Sequence, residues 1–320
     1  MLSLDSFADG GGSVFESAPI QAFTVDARHR PDLGLLADWP HLEKLRRLEF
    51  SVGWFGATDI ARLTDSPFAE NVTELAFEFD GISPDGLTAL AGSALFTRIT
   101  DLELRSNNIP PALVVDSLGA AREPGALERL SLPYNSLDRD DAEHLFALPA
   151  LSAVGELDVS DNKLGVEGVA ALADSGLVRN LRILNLSKTR PGVPGVKALA
   201  EARGLAGLRM LDLSHNGLGP VAVKVLASCD KLRGLRVLNL TNNLVGDAGA
   251  AALASSRSLG GLIELDLRDA DVHDAGALAL AESTYLDNLL RLDLRTHHGR
   301  ALGDKARAAL FERFGERVCV

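Results

Sequence analysis

Apolar residues recur along this chain in the order apolar-x-x-apolar-x-apolar eleven times, and the last eight of these segments open 27 or 28 residues apart. The segments begin at Ile20, Leu45, Val72, Ile99, Leu127, Val154, Leu181, Leu208, Leu235, Leu262 and Leu289. With the first apolar residue as offset 0, offsets 0, 3 and 5 are aliphatic almost throughout, as in Leu208, Leu211, Leu213 and Leu235, Leu238, Leu240. The alternation predicts a short strand with one buried face. The second half of each copy carries Ala, Leu and Val at three- and four-residue spacing, as in the runs from Gly168 and Gly249, which predicts a helix of two to three turns. One strand and one helix at a fixed period make a solenoid, whose units bury their apolar faces only by stacking on their neighbours.

Other offsets refine the unit. Offset 8 is Asn in Asn107, Asn135, Asn162, Asn216 and Asn243, where the strand must turn away. A buried Asn has two donors and an acceptor, enough to satisfy turn backbone groups of its own and the adjacent copy. Thr189 and Ala270 interrupt this ladder. Offset 10 returns to apolar residues such as Ile82, Leu137, Leu164, Leu218 and Val245, and offset 14 is Gly in Gly86, Gly168, Gly195, Gly249 and Gly276, which permits close backbone approach. Leu occupies offset 18 in most copies; in the copy opening at Ile99 it arrives one position late, at Leu118, so the extra residue of that 28-residue copy falls near Pro110 and Pro111.

On these residues the chain resembles the ribonuclease-inhibitor-like class of leucine-rich repeat proteins, from Ile20 to the C-terminus. The resemblance implies an α/β horseshoe of about eleven repeats of 27 residues, with parallel strands on the concave face and helices on the convex face. Residues 1–320 are expected to form a single domain: an N-terminal cap in residues 1–19, repeats in 20–299 and a C-terminal cap in 300–320. Residues 10–13 form a Gly-Gly-Gly-Ser run, and the following SVFESAP is expected to supply the helical half of the first cap. The end, from Gly303, predicts a charged helix and then a short strand at Val318, Cys319 and Val320. It also resembles the C-terminal cap of bacterial repeat proteins of this class, which often carry a small companion domain that cannot be recognised here.

Charge narrows the function classes. Lys and Arg number 32 against 44 Asp and Glu, a formal charge of −12, which argues against nonspecific binding to nucleic acid or anionic lipid and favours a partner with a basic surface. The two cysteines, Cys229 and Cys319, lie three repeats apart, beyond the ~7 Å reach of a disulfide, so free thiols are expected. There is no apolar run of membrane-spanning length and no basic-then-apolar leader pattern. A cytoplasmic location is expected, and a monomer when the chain is alone.

Candidate chemistry is sparse. His273, His297 and His298 fall at neighbouring turns near the C-terminal end, but they occupy variable turn positions, and no metal site is assigned to them. No nucleophile motif, phosphate loop or metal-ligand signature is present, so neither catalytic residues nor a cofactor are expected.

What remains is surface. At offsets 2, 4, 6 and 7, the repeats opening at Leu45 through Val154 supply Glu49, Glu74, Glu78, Asp101, Glu103, Glu156, Asp158 and Asp161 against Arg47, Arg105 and Arg129. Offset 4 of the C-terminal half reads Asn185, Asp212, Asn239, Asp266 and Asp293, a band that is also ordinary consensus. Aromatic residues make up 5% of the chain, so their placement carries weight. Phe50, Phe55, Phe68 and Phe77 fall on core offsets. Trp54, Phe79 and Tyr134 fall at offsets 7 to 9, where strands end, and exposed aromatics there are candidate interface anchors.

The expected function is a non-enzymatic interaction scaffold binding a protein through the concave face and strand rim, with Trp54, Phe79, Tyr134, Glu49, Glu78, Glu103, Asp158, Asp212, Asp266 and Asp293 as candidate contacts. Resemblance leaves two alternatives. The Ran GTPase-activating proteins have similar repeats but commonly add an acidic tail that this sequence lacks. Ribonuclease inhibitors are rich in cysteine and alternate two repeat types, whereas this chain has one type.

Overall fold

The structure, a computed structural model, describes residues 20–26, 32–107, 109–120, 126–297 and 301–320. The expected N-terminal cap, residues 1–19, lies outside the described residues, as does His298. Among the described residues, twelve parallel strands alternate with helices, and strand order in the sheet follows sequence order. Contacts group the chain into two compact units, one of residues 1–137 and 147–158, the other of 138–146 and 159–320.

The first unit contains β1 (Ala22–Asp26), β2 (Arg47–Ser51), β3 (Glu74–Glu78), β4 (Asp101–Arg105), β5 (Arg129–Ser131) and β6 (Glu156–Asp158). Each strand starts at offset 2 of its repeat, and the register matches equal offsets: Leu48 pairs with Leu75, Leu75 with Leu102, Leu102 with Leu130. The offset-3 residues are thereby stacked in one buried column. Beside it, Phe50 and Phe77 stack with ring centroids 5.0 Å apart, and Phe55 meets Phe50 edge-on at 5.3 Å. Phe68, expected in the core, is only partly buried. It precedes a short 3₁₀ turn at Ala69–Asn71, and there Ala69 takes the buried position. The helix Pro84–Ala91 shows why offset 14 is glycine: a Cβ on Gly86 would lie 2.4 Å from the carbonyl oxygen of Phe55.

The second unit contains β7 (Ile183–Asn185), β8 (Met210–Asp212), β9 (Val237–Asn239), β10 (Glu264–Asp266), β11 (Arg291–Asp293) and β12 (Val318–Cys319). The last is the short strand expected at the end of the chain; Val318 pairs with Leu292. Offsets 0, 3, 5, 10 and 18 of the copy opening at Leu208 are Leu208, Leu211, Leu213, Leu218 and Leu226, all buried. Helices Gly165–Asp174, Gly192–Glu201, Pro220–Ala227, Gly246–Ala254 and Asp274–Ala281 follow the strands, and Asp304–Phe314 is the charged helix expected near the C-terminus. Cys229 is buried with its thiol donating to the carbonyl of Ala200 at 3.3 Å, and Cys319 is partly exposed; neither forms a disulfide. No helix among the described residues is long and apolar enough to cross a membrane.

Candidate protein interface

Strands β2, β3, β4 and β5 end in the same sharp turn, made by a residue at offset 7 with left-handed backbone: Val52, Phe79, Ser106 and Tyr134, with φ of 53°, 52°, 52° and 59°. A left-handed conformation costs an L-residue roughly 1–2 kcal/mol and is least expected of β-branched and bulky side chains. The ladder enforces it. The offset-7 amide donates to the offset-6 carbonyl of the next strand: Val52 to Glu78 at 3.1 Å, Phe79 to Arg105 at 3.0 Å, Ser106 to Pro133 at 3.1 Å. The consequence is that side chains at this offset leave the strand end outward. Val52, Phe79 and Tyr134 are 45%, 50% and 45% exposed, and Trp54, two residues past Val52, is 50% exposed. Val52 was not among the residues singled out from sequence, although it shares the offset of Phe79 and Tyr134.

Behind this apolar row lies the charged face of the first unit. The Arg47 guanidinium donates to Glu103 at 2.8 Å and stands within 4 Å of Glu49, Glu74 and Asp101. Arg129 donates to Asp101 at 2.7 Å and approaches Glu156 at 3.9 Å. The arginines therefore serve as internal counter-ions, yet carboxylates still outnumber them. Glu78 registers the excess: burial, then the negative charges of Glu103 and Glu49, hold its carboxyl above the ordinary value despite Arg105 and Arg47. The Arg105 guanidinium sits 5.3 Å above the Tyr134 ring, a cation–π contact, and its Nε is buried without a hydrogen-bond partner among the described residues. Asp158, at the end of β6, is partly buried.

The offset-4 band of the second unit does different work. Its side chains turn back onto their own strand ends: Asn185 accepts from the Ser187 amide at 3.0 Å, Asp212 from Ser214 at 2.8 Å, Asn239 from Thr241 at 3.0 Å, Asp266 from Arg268 at 3.1 Å and Asp293 from Arg295 at 3.2 Å. Asp212 also accepts from Asn239 at 2.7 Å, and the Arg268 guanidinium clasps Asp266. Asp293, a candidate contact from sequence, has no exposed surface; burial pushes its carboxyl up, but the hydrogen bonds and charge of Arg295, with Arg268 nearby, hold it below the usual carboxylate value. The band is thus a set of turn-forming groups engaged within the fold, with Asp293 withdrawn from contact altogether.

Of the candidate histidines, His298 lies outside the described residues, and His273 and His297 turn to different carboxylates. His297 Nδ1 contacts Asp269 at 2.9 Å, and His273 Nε2 stands 3.8 Å from Asp271. No group of three or more His, Cys, Asp or Glu among the described residues is placed to hold a metal ion.

Comparison with known proteins agrees with this architecture. The Leucine Rich repeat family model matches residues 156–173, 208–227, 232–254 and 262–281. No curated protein sequence matches the chain. Among solved structures 149 chains match, so the fold is widely shared and does not single out one function. One is a chain from the crystal structure of the Rad7 and Elc1 complex in yeast, 15% identical, with a TM-score of 0.53, covering 95% of this chain and 84% of that one. The matched segments carry leucine-rich repeats, and the alternating strands and helices have the fold of a leucine-rich repeat solenoid.

Proposed function

We propose that this repeat protein is a non-enzymatic interaction scaffold, a monomer by itself, whose first unit binds a protein partner with a basic surface. The observation that carries the reading is the exposed row of Val52, Trp54, Phe79 and Tyr134 beside a face rich in carboxylates. Large apolar side chains held outward by strained turns supply anchor area, and the carboxylates Glu49, Glu78 and Glu103 supply a field that favours a cationic partner. Asp158 extends the same face. Asp212 and Asp266 contribute at most their outer edges, because their oxygens are engaged within the fold.

The yeast neighbour comes from a complex with another protein, which agrees with a scaffold role for this fold. A single repeat domain, a cytoplasmic location and membership of the ribonuclease-inhibitor-like class are parts of the same reading. The GTPase-activating and ribonuclease-inhibitor alternatives rest on sequence resemblance alone.

Quantitative affinity capture from the native cell tests the proposal, with wild-type chain and a Trp54→Ala, Phe79→Ala double variant as baits. A partner enriched by the first and lost with the second is the expected result. Identical partner sets would contradict it.

A further inference from the structure

Beyond the aromatic face of the first unit, the second unit carries a cleft of about 1020 Å³ along its own strand ends. Its inner edge is the offset-7 row, Asp161, Lys188, His215, Asn242 and Asp269, all in left-handed backbone. These residues are bonded sideways in pairs: Lys188 to Asp161 at 2.8 Å, Asn242 Nδ2 to His215 Nδ1 at 2.9 Å. Its outer edge is the offset-9 row, which reads Lys163, Arg190, Gly217, Leu244 and Asp271 in five successive repeats. Two cations are followed by a bare position, then an apolar side chain, then a carboxylate.

Four members of the outer row, Lys163, Arg190, Gly217 and Leu244, face the cleft without a partner across it among the described residues. Lys163 and Arg190 line the cleft exposed, and neither side chain has an ion pair among the described residues, in a chain whose formal charge is −12. Gly217 has φ of 64° and nothing within 4 Å of the place a Cβ would occupy, so the middle of the cleft is open. Leu244 is 60% exposed.

We propose that this cleft is a second binding site, for an extended peptide segment that sets an acidic side chain on Lys163 and Arg190 and an apolar side chain on Leu244. Adjacent parallel strands lie ~4.8 Å apart, so Arg190 and Leu244, two repeats apart, are separated by ~10 Å, about three residues of extended chain at ~3.3 Å each. The acidic and apolar side chains of the ligand therefore fall about three positions apart, in either chain direction. Between them the paired His215 and Asn242 offer polar groups to the peptide backbone. Asp161, Asp269 and Asp271 share the cleft, and their charge disfavours a polyanion such as nucleic acid while tolerating one acidic side chain at the cationic end.

Fluorescence anisotropy on the full chain tests the site. The probes are fluorescein-labelled eight-residue peptides with two glutamates and a leucine three positions away, made in both chain orders in a serine background. The proposal expects saturable binding of at least one order. The Lys163→Ala, Arg190→Ala double variant should weaken that binding tenfold or more, the change expected when a charge-assisted contact is lost. Replacing the glutamates by lysine should do the same, and replacing the leucine by serine should weaken binding severalfold. Trp54→Ala should leave it unchanged, which separates this site from the interface of the first unit. Since both substituted residues are exposed, matching urea midpoints would show that the double variant is folded. No saturable binding of either order, equal binding of the lysine peptide, or undiminished binding by the double variant would overturn the proposal. Competition by inorganic phosphate at millimolar concentration, with no loss on leucine replacement, would reduce the cleft to a simple anion site and would also overturn it.

Discussion

The side-chain amide of Asn243 donates to the carbonyl of Leu213, thirty residues earlier in the chain, at 2.9 Å. The same group donates to Leu240 at 3.0 Å in its own turn, while its oxygen accepts from the amides of Leu218 at 2.8 Å and Asn216 at 3.2 Å. One buried side chain therefore stitches two successive turns. Asn107 does likewise in the first unit, donating to Phe77 and Arg105 and accepting from Ile82.

The interruptions of this ladder are unequal. Thr189 keeps a bond within its own turn, from its hydroxyl to Leu186 at 2.7 Å, and Ala270 has no polar side chain at all. Amide hydrogen exchange should therefore be fastest across Asp269–Asp274, slower across Lys188–Val193 and slowest across Ser214–Gly219, where Asn216 and Asn243 are both in place. Equal protection in the three windows would show that the ladder does not control local opening.

Leu213 is fully buried at offset 5, and Asp212 beside it faces outward but caps the Ser214 amide. Leu213→Ala should cost about 2–5 kcal/mol, as a buried large-to-small change. Asp212→Ala should cost about 1–2 kcal/mol, for the two hydrogen bonds that its partly exposed carboxylate accepts from Ser214 and Asn239. Urea titration of both variants checks the order, and a reversed ranking would exchange the inward and outward faces of the strand.

Glu78 gives a pH signature. Because its folded pKa lies above the unfolded value of about 4.5, the native state binds this proton more tightly than the unfolded chain does. Its ionisation therefore opposes folding at neutral pH, and that penalty is relieved as pH falls through the raised folded pKa. Glu78→Gln should stabilise the protein at pH 7, with the advantage shrinking as pH falls toward about 4.5. Urea midpoints at a series of pH values measure this; a constant difference, or one of opposite sign, would mean that Glu103 and Glu49 do not burden Glu78.

The repeat, its strands and the buried Asn were legible in the chain because each depends on side chains at fixed offsets that recur too often to be accidental. Leu211, Asn216 and the final strand at Val318 stand where the spacing places them. The engagement of Asp293 was not legible. Its consensus position reads equally as exposed carboxylate or turn former, and only the structure shows Arg295 folded over it. Val52 was hidden for a related reason: a β-branched residue has a poor intrinsic preference for left-handed backbone, which the amide bond to Glu78 overrides. Phe68 looked like core by offset alone, but Ala69 fills that place.

The central claim is that the first unit binds a partner through apolar anchors set in an acidic field. Surface binding kinetics with the captured partner test it most directly. Trp54→Ala or Phe79→Ala should raise the dissociation rate, with a loss of about 2 kcal/mol or more at a hot spot. Replacing Glu49, Glu78 and Glu103 together by Gln should lower the association rate and flatten its dependence on salt. Unchanged kinetics in both sets would contradict the account and move the interface off the first unit.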